Sequence, residues 1–190
     1  TGGALSDTDT VAITVNPVND APTGAPLVTG TPTEDQVLGV DTGSIADADG
    51  LGTFSYQWQR NGANIDGATG STYTLGDADV GTNIRVVVSY SDGQGTAESL
   101  TSAAVGPIAN VNDAPTGAPV VTGTPTEDQV LTANTGTIAD ADGLSTFSYQ
   151  WQRNGVDIAG ATAGTYTLGD ADVGTNIRVV VSYTDAKGTA

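Results

Sequence analysis

The feature that most constrains the fold is an internal repeat of 93 residues. The phrase NDAPTGAP begins at Asn19 and occurs again, unchanged, at Asn112. Shifting the chain by 93 residues aligns residues 19–97 with residues 112–190 without a gap, and most of the aligned residues are identical. A unit of this length is the size of a small domain and exceeds the roughly 20–50 residues of a solenoid repeat.

The repeat divides the chain into three predicted parts. Residues 1–18 lie outside the aligned region, and we interpret them as the last strand of a preceding repeat followed by a linker. Residues 19–111 are the first repeat. Residues 112–190 are a second repeat that is truncated before its last strand, because they include no counterpart of residues 98–111.

Hydrophobic alternation predicts β-strands in each repeat. In FSYQWQR (54–60), Phe54, Tyr56 and Trp58 share one face, which is the period of two that is typical of a half-buried strand. Asn61 and Gly62 follow and are typical of a hairpin turn, since both residues tolerate a positive φ. Further candidate strands span residues 25–30, 36–40, 71–76, 83–90 and 95–105. We therefore predict an all-β protein with two tandem Greek-key β-sandwich domains of about seven strands each.

Composition excludes several functional classes. The chain has no cysteine and no histidine, which removes disulfides, thiolate metal sites and the commonest general base. A net charge of −17 disfavours binding to nucleic acid and to anionic membranes, and no apolar run approaches the roughly 18 residues of a membrane span. The acidic charge then serves solubility, self-repulsion or a cation partner.

Several motifs carry a resemblance to a known class of protein. The segments YQWQRNG, TYTLGDADVG and IRVVVSY resemble strands C, E and F of immunoglobulin-like domains. Together with NDAPT, TEDQ, DADG and VSYTD, they resemble the tandem Ig-like and cadherin-like extender repeats of large bacterial surface adhesins, many of the RTX type. The resemblance covers nearly the whole chain and implies an extracellular protein exported by type I secretion. Unlike many Ig domains, this one has no cysteine pair beside Trp58, so we expect Val37 or Leu38 to pack against Val86 instead.

The same resemblance implies calcium sites where the turns of one repeat meet the start of the next. In the Ig-like topology, the acids of the first repeat, of the linker and of the next repeat converge, as in cadherin calcium joints. We predict several Ca²⁺ ions, at inter-domain and turn sites. The predicted ligands are Asn19, Asp20, Glu34, Asp35, Asp47, Asp49, Asp77, Asp79, Asn110, Asn112, Asp113, Glu127, Asp140 and Asp142.

The chemistry of the residues agrees with calcium. Only five basic residues are present in the chain, so protein cations cannot neutralise two such clusters. Calcium takes about six to eight oxygen ligands at roughly 2.3–2.6 Å, from carboxylates, amide side chains and carbonyls. The alternative for each acid is an ordinary solvated turn residue. For Asp79, a second alternative is an ion pair with Arg85.

Two further readings of the acids are not supported by the sequence. DADGLGTFSYQW begins like an EF-hand loop, but its twelfth position is Trp58 instead of glutamate. Paired carboxylates also serve glycosidases, but no apolar pocket is predicted around these acids that would raise a pKa for catalysis. We therefore predict that the protein is not an enzyme.

Three functions fit these features. The first is a calcium-stiffened extender in the stalk of a bacterial surface adhesin, with the neighbouring repeats as its partners and any glycan or host contact left to distant domains. The second is a module that itself binds a glycan or a host protein, and the third is a spacer in a secreted hydrolase. Residues 9–17 are apolar and alternate, so one molecule could also donate this strand to the open edge of another.

Overall fold

A computed structural model of the protein describes residue 3 and residues 9–188. It confirms the all-β prediction, since the described residues form β-strands and two short 3₁₀ turns, at Asp77–Asp79 and Asp170–Asp172. No helix in the described part of the chain is long and apolar enough to span a membrane. The strands are β1 (Leu27–Thr29), β2 (Val37–Asp41), β3 (Ser55–Arg60), β4 (Ala63–Asn64), β5 (Thr72–Thr74), β6 (Ile84–Ser91), β7 (Ala97–Thr101), β8 (Val120–Thr122), β9 (Val130–Asn134), β10 (Ser148–Arg153), β11 (Val156–Asp157), β12 (Thr165–Thr167) and β13 (Ile177–Ser182).

The chain forms two compact units whose limits differ from those of the sequence repeats. The first unit contains the described residues up to Pro32, together with Gln36–Thr74 and Thr82–Pro107. The second unit contains Thr33–Asp35, Leu75–Gly81 and the described residues from Ile108 onward. Three short segments of the first sequence repeat therefore belong to the second compact unit.

The first unit has two antiparallel sheets, with strand orders β1-β2-β5 and β4-β3-β6-β7. Along β6, the side chains of Ile84, Val86, Val88 and Tyr90 are buried and alternate with partly exposed residues, as the sequence pattern predicts. Leu38 on β2 is fully buried, whereas Val37 is 53% exposed. Of the two residues predicted to fill the space of the missing disulfide, only Leu38 therefore lies in the core.

The second unit also has two antiparallel sheets, with strand orders β8-β9-β12 and β11-β10-β13. Leu131 from the first sheet and Trp151 from the second belong to one buried cluster, which is the packing of a β-sandwich. The indole N–H of Trp151 donates to the carbonyl of Ala163 at 2.9 Å, and its ring stacks on Tyr166. Trp151 is therefore a core residue with its single polar group satisfied.

The two Asn-Gly hairpins form as predicted. Asn61 and Gly62 have φ values of 46° and 86°, and Asn154 and Gly155 have φ values of 48° and 85°. Each pair connects two antiparallel strands, β3 to β4 and β10 to β11. Two successive positive φ angles characterise the turn whose twist matches that of a β-hairpin.

The strand predicted at residues 9–17 does not form in the described chain. Residues 9–18 belong to no β-ladder, and Val11, Ile13, Val15 and Val18 are between 78% and 85% exposed. A strand is stable only when its backbone groups are paired, and no described residue pairs with this segment. The rest of the predicted N-terminal part, residues 1, 2 and 4–8, lies outside the described residues.

Candidate metal centre

Three carboxylates converge in the second compact unit. Glu34, Asp113 and Asp142 each present an oxygen atom, and these atoms all lie within 4.8 Å of one another. Glu34 is 1% exposed and Asp142 is 4% exposed, while Asp113 is half-buried. All three residues were predicted to be ligands that converge, and the structure brings them together.

Glu34 is held by the segment that follows residue 107. Thr33 forms a parallel bridge with Ala109, and the Glu34 N–H donates to the Ala109 carbonyl at 2.9 Å. The Val111 N–H in turn donates to Oε2 of Glu34 at 3.0 Å. Backbone and side chain of Glu34 are therefore fixed by the same three residues, 109–111.

Asp142 is positioned by a tight turn. Its N–H donates to Oδ1 of Asp140 at 2.9 Å, and its own Oδ2 accepts the Asp113 N–H at 2.8 Å. A bridge between Thr116 and Ala139 fixes the chain after Asp113 to the same turn. The turn therefore orients Asp142 and Asp113 together.

Two buried oxygen atoms near these residues in the sequence have no hydrogen-bond partner. They are Oε1 of Glu34 and Oδ1 of Asn110. A buried polar atom without a partner costs about 1–3 kcal/mol, so a folded protein rarely retains one without a reason. Both atoms are oxygens and both can bind a cation, which would satisfy them.

The electrostatics of the cluster also favour a cation. Burial raises the pKa of Glu34, the hydrogen bond from the Val111 N–H opposes this, and a shared hydrogen bond with Asp77 and the charge of Asp113 raise it further. The pKa of Asp113 is raised as well, by desolvation and then by neighbouring acids, namely Asp77, Asp142, Asp35 and Asp140. Both shifts arise first from desolvation and then from neighbouring negative charges that repel one another. A bound divalent cation would instead lower the pKa of both carboxyls.

Asp77, Asp35 and Asn112 surround the cluster in different ways. Asp77 is exposed and lies close enough to Glu34 to raise the pKa of that carboxyl. Asp35 is exposed, has a φ of 62°, and donates its N–H to the Leu75 carbonyl. The side-chain amide of Asn112 donates to the carbonyl of Asp113 at 3.2 Å. These three predicted ligands therefore remain predictions.

The corner acids Asp79 and Asp172 stabilise the 3₁₀ turns. Oδ2 of Asp79 accepts the Gly76 N–H at 3.0 Å, and Oδ2 of Asp172 accepts the Gly169 N–H at 2.9 Å. Asp172 also forms an ion pair with Arg153 at 2.7 Å and accepts a hydrogen bond from Tyr166. These contacts assign Asp172 a structural role in the second repeat.

Arg85, which the sequence offered as an alternative ion-pair partner of Asp79, makes a cross-strand contact. Nε of Arg85 donates to Gln59 at 2.7 Å, and Nε of its counterpart Arg178 donates to Gln152. Arg85 lies on β6 directly opposite Gln59 on β3, so its guanidinium forms a hydrogen bond with this cross-strand neighbour.

In the first unit, the predicted ligands are engaged with protein groups. Oδ2 of Asp47 accepts the Tyr90 hydroxyl at 2.6 Å, as Asp140 accepts the hydroxyl of Tyr183 in the second unit. Asp49 accepts the Asp20 N–H at 2.6 Å and the side-chain amide of Gln94. The side-chain amide of Asn19 donates to Glu98 at 2.9 Å. Among the described residues, no group of three metal ligands forms around these acids.

Glu127 differs from its sequence counterpart Glu34. Glu127 is exposed, and a hydrogen bond shared with Asp170 raises its pKa. Asp170 was not among the predicted ligands, although its position 93 residues after Asp77 would have indicated it. Nor was Asp92, a buried acid directly after β6 whose Oδ2 has no hydrogen-bond partner.

The chemistry available at Glu34, Asp113 and Asp142 is cation binding by oxygen ligands. Carboxylates and an amide oxygen suit a hard cation, and the chain offers no imidazole or thiolate to any metal. Comparison with models of known protein families and with curated proteins gives no match for this chain.

Proposed function

We propose that the chain is a non-catalytic structural module of a bacterial surface adhesin, in which Ca²⁺ stiffens an extracellular array of repeats. The observation that carries the proposal is the buried group of Glu34, Asp113 and Asp142, in which Oε1 of Glu34 has no hydrogen-bond partner. In a stalk, the number of near-identical repeats sets the length of the array. This function requires the connection between neighbouring repeats to be stiff.

Calcium suits this site better than other common divalent cations. It accepts about six to eight oxygens in flexible geometry, from carboxylates, amide oxygens and carbonyls. Magnesium requires a near-ideal octahedron and retains much of its water, so a set of protein oxygens partly buried by the fold is less suitable. Extracellular modules of this kind bind calcium with dissociation constants of about 10⁻⁴–10⁻³ M.

The mechanism follows from where the three acids lie in the sequence. Glu34 belongs to a turn of the first repeat, Asp113 to the linker and Asp142 to a turn of the second repeat. Without an ion, each pair of carboxylates about 4 Å apart repels by about 1 kcal/mol at the dielectric of water. With calcium bound, the same carboxylates hold the three segments together, so the ion converts a flexible connection into a stiff one.

Calorimetric titration with calcium tests the proposal, using Glu34→Gln and Glu127→Gln as a matched pair. Glutamine retains an oxygen that can accept the Val111 N–H, so Glu34→Gln preserves the local structure while removing the charge. We expect wild type and Glu127→Gln to bind calcium at this site and Glu34→Gln to lose that binding event. Magnesium is the control ion.

Small-angle X-ray scattering of the same samples tests the stiffening. We expect the wild-type particle to become longer and more rigid when calcium replaces chelator. Equal calcium binding by all three proteins, or scattering and melting that ignore calcium, would overturn the proposal. That result would favour the alternative module, one that binds a glycan or a host protein.

A further inference from the structure

The two Asn-Gly hairpins place the same set of groups around one peptide bond. Of the asparagines in the chain, only Asn61 and Asn154 are followed by glycine. In both turns the asparagine and the glycine are exposed. Each turn therefore presents a side-chain amide to the backbone nitrogen of the next residue, and glycine has no side chain that would shield this nitrogen.

The side-chain carbonyl of Asn61 is held and polarised by the backbone of a neighbouring segment. The Asn83 N–H donates to Oδ1 of Asn61 at 3.0 Å, while the Asn61 N–H donates to the Asn83 carbonyl at 2.8 Å. An N–H group that points at a carbonyl oxygen stabilises the negative charge that develops there during attack on the carbonyl carbon. The hairpin therefore contains a fixed hydrogen-bond donor for an oxyanion at Oδ1 of Asn61.

The attacking and leaving groups of such a reaction are not engaged elsewhere. The Gly62 N–H donates no hydrogen bond to any residue that the structure describes. The side-chain nitrogen of Asn61 likewise has no acceptor within the described part of the chain. The Gly62 nitrogen can therefore act as the nucleophile, and the side-chain nitrogen of Asn61 can leave, without the loss of a protein hydrogen bond.

A guanidinium group lies against the glycine of the turn. A Cβ atom on Gly62 would lie 3.5 Å from Nη2 of Arg85, whose Nε donates to Gln59 across the sheet. A cation this close favours the deprotonated form of a neighbouring group and so lowers the pKa of that group. Arg85 therefore favours loss of the Gly62 amide proton, which is the step that generates the nucleophile.

The hairpin of the second repeat makes the same contacts. The Asn176 N–H donates to Oδ1 of Asn154 at 3.0 Å, and a Cβ atom on Gly155 would lie 3.6 Å from Nη2 of Arg178. The Gly155 N–H, like that of Gly62, donates to no residue in the described chain. One hairpin can therefore serve as the reference for the other within a single molecule.

We propose that Asn61 and Asn154 are sites of spontaneous deamidation that the fold itself assists. The Gly62 nitrogen loses its proton to hydroxide and attacks Cγ of Asn61, which forms the N–Cγ bond of a succinimide. The bond between Cγ and Nδ2 breaks, and the amide nitrogen leaves as ammonia after it takes a proton from water. Water then opens the ring to aspartate or isoaspartate, so that a water molecule is consumed and an ammonia molecule is released at each site.

The two products differ in their effect on the hairpin. An aspartate at position 61 still accepts the Asn83 N–H and adds a negative charge to the turn that Arg85 contacts. Isoaspartate instead inserts an extra carbon atom into the main chain of the turn, which alters the register of the strands that it connects, β3 and β4. Ageing of the protein is therefore expected to add charge to each repeat and to weaken the pairing of part of its hairpins.

Peptide mapping by mass spectrometry tests the proposal on the folded 190-residue chain after incubation at mildly alkaline pH. We expect conversion at Asn61 and Asn154, whereas Asn64 and Asn134 remain intact because they are exposed but are not followed by glycine. Electron-transfer fragmentation distinguishes aspartate from isoaspartate. Conversion at Asn61 and Asn154 that is no faster than at the two reference sites would overturn the proposal.

Substitution of each arginine tests whether the fold assists the reaction. Arg85→Gln is expected to slow conversion at Asn61 by about tenfold, which corresponds to roughly one unit in the pKa of the attacking nitrogen, and to leave Asn154 unchanged. Arg178→Gln is expected to slow Asn154 and to leave Asn61 unchanged. Arg85→Lys retains a positive charge and is expected to restore most of the rate at Asn61.

The same variants in urea separate the effect of the fold from that of the local sequence. In the unfolded chain the guanidinium is no longer held against Gly62, so wild type and Arg85→Gln are expected to convert Asn61 at equal rates. Equal rates in the folded proteins as well, or slower conversion of both Asn61 and Asn154 after one substitution, would contradict assistance by the fold.

Discussion

Glu34 and Glu127 occupy the same position in the two sequence repeats, yet Glu34 is 1% exposed while Glu127 is exposed. The difference arises because residues 109–111 cover Glu34 and bind both its backbone and its carboxylate. No described segment covers Glu127 in this way. The same glutamate in both repeats is therefore not sufficient for a metal site. Substitution of Glu127 can serve as the matched control for substitution of Glu34.

Asp113→Asn should change stability in opposite directions with and without calcium. In chelator, we expect it to be more stable than wild type by about 1 kcal/mol, because one member of a repelling group is neutralised. In excess calcium, we expect it to be less stable than wild type, because the ion loses a charged ligand. Urea unfolding under both conditions measures the two effects. Asp20→Asn is the control and should show no such reversal; the same sign for Asp113→Asn in both conditions would contradict the metal site.

Gly117→Ala should be far more damaging than Gly160→Ala, although both glycines have a φ of +77°. A Cβ atom on Gly117 would lie 1.9 Å from the Thr137 carbonyl, whereas Gly160 has no atom within 4 Å. The left-handed conformation alone costs alanine about 1–2 kcal/mol, and the clash adds about 1–3 kcal/mol at Gly117. Urea unfolding measures the difference, and equal losses would refute it. Since Gly117 follows the Thr116 bridge, calcium affinity should fall in the same variant.

Arg153→Gln should destabilise the second unit in a pH-dependent way. Burial favours a higher pKa for Asp172, but hydrogen bonds from the Gly169 N–H, Arg153 and Tyr166 outweigh it and lower the pKa below 3.8. A carboxyl with a lowered pKa stabilises the fold above its ordinary pKa, and this stabilisation is lost as the pH falls through the folded-state value. We therefore expect a loss of about 2 kcal/mol at neutral pH that shrinks below pH 3.8.

Urea unfolding across this pH range measures the effect of Arg153→Gln. Arg178→Gln is the control, because Nε of Arg178 donates to Gln152 instead of an acid, and its stability should change little at any pH. A loss in Arg153→Gln that does not vary with pH would show that the ion pair with Asp172 is not its cause.

Tyr183 should ionise later than an ordinary tyrosine. The hydrogen bond to Asp140 and then burial raise its pKa from 10.0 to about 12. A group with a raised pKa gives stability that is complete below the ordinary value and is lost as the pH rises through the folded-state value, here between pH 10 and about 12. Absorbance titration of tyrosinate measures it. Asp140→Asn should bring the late ionisation to a lower pH, while Asp157→Asn should leave it unchanged; no change in Asp140→Asn would exclude the contact.

The strands were predictable because their signal is local. Alternation along 83–90 correctly places Ile84, Val86 and Val88 in the core, since successive side chains of a strand point to opposite faces. The hairpin at Asn61 and Gly62 is equally local. The segment at 9–17 alternates in the same way and forms no strand, because pairing depends on a partner that the pattern cannot supply.

The site was predictable only as far as topology determines it. Glu34, Asp113 and Asp142 were expected to converge because the Ig-like fold brings their turns together, and they lie within 4.8 Å. The partners of individual acids were not predictable. Tyr183 forms a hydrogen bond with Asp140, and the ion-pair partner of Asp172 is Arg153 and not Arg178, the counterpart of Arg85. These contacts depend on which side chains the packed sheets place within reach of each acid.

The three acids of the cluster lie at positions 34, 113 and 142, so an ion bound by all of them connects distant parts of the chain. Closing such long loops costs entropy before any contact is gained, and such contacts form late in folding. The transition state therefore offers the ion few of its ligands. Calcium is expected to leave the refolding rate nearly unchanged and to slow unfolding. A repeat with bound calcium would therefore resist force or heat mainly because its folded state lives longer.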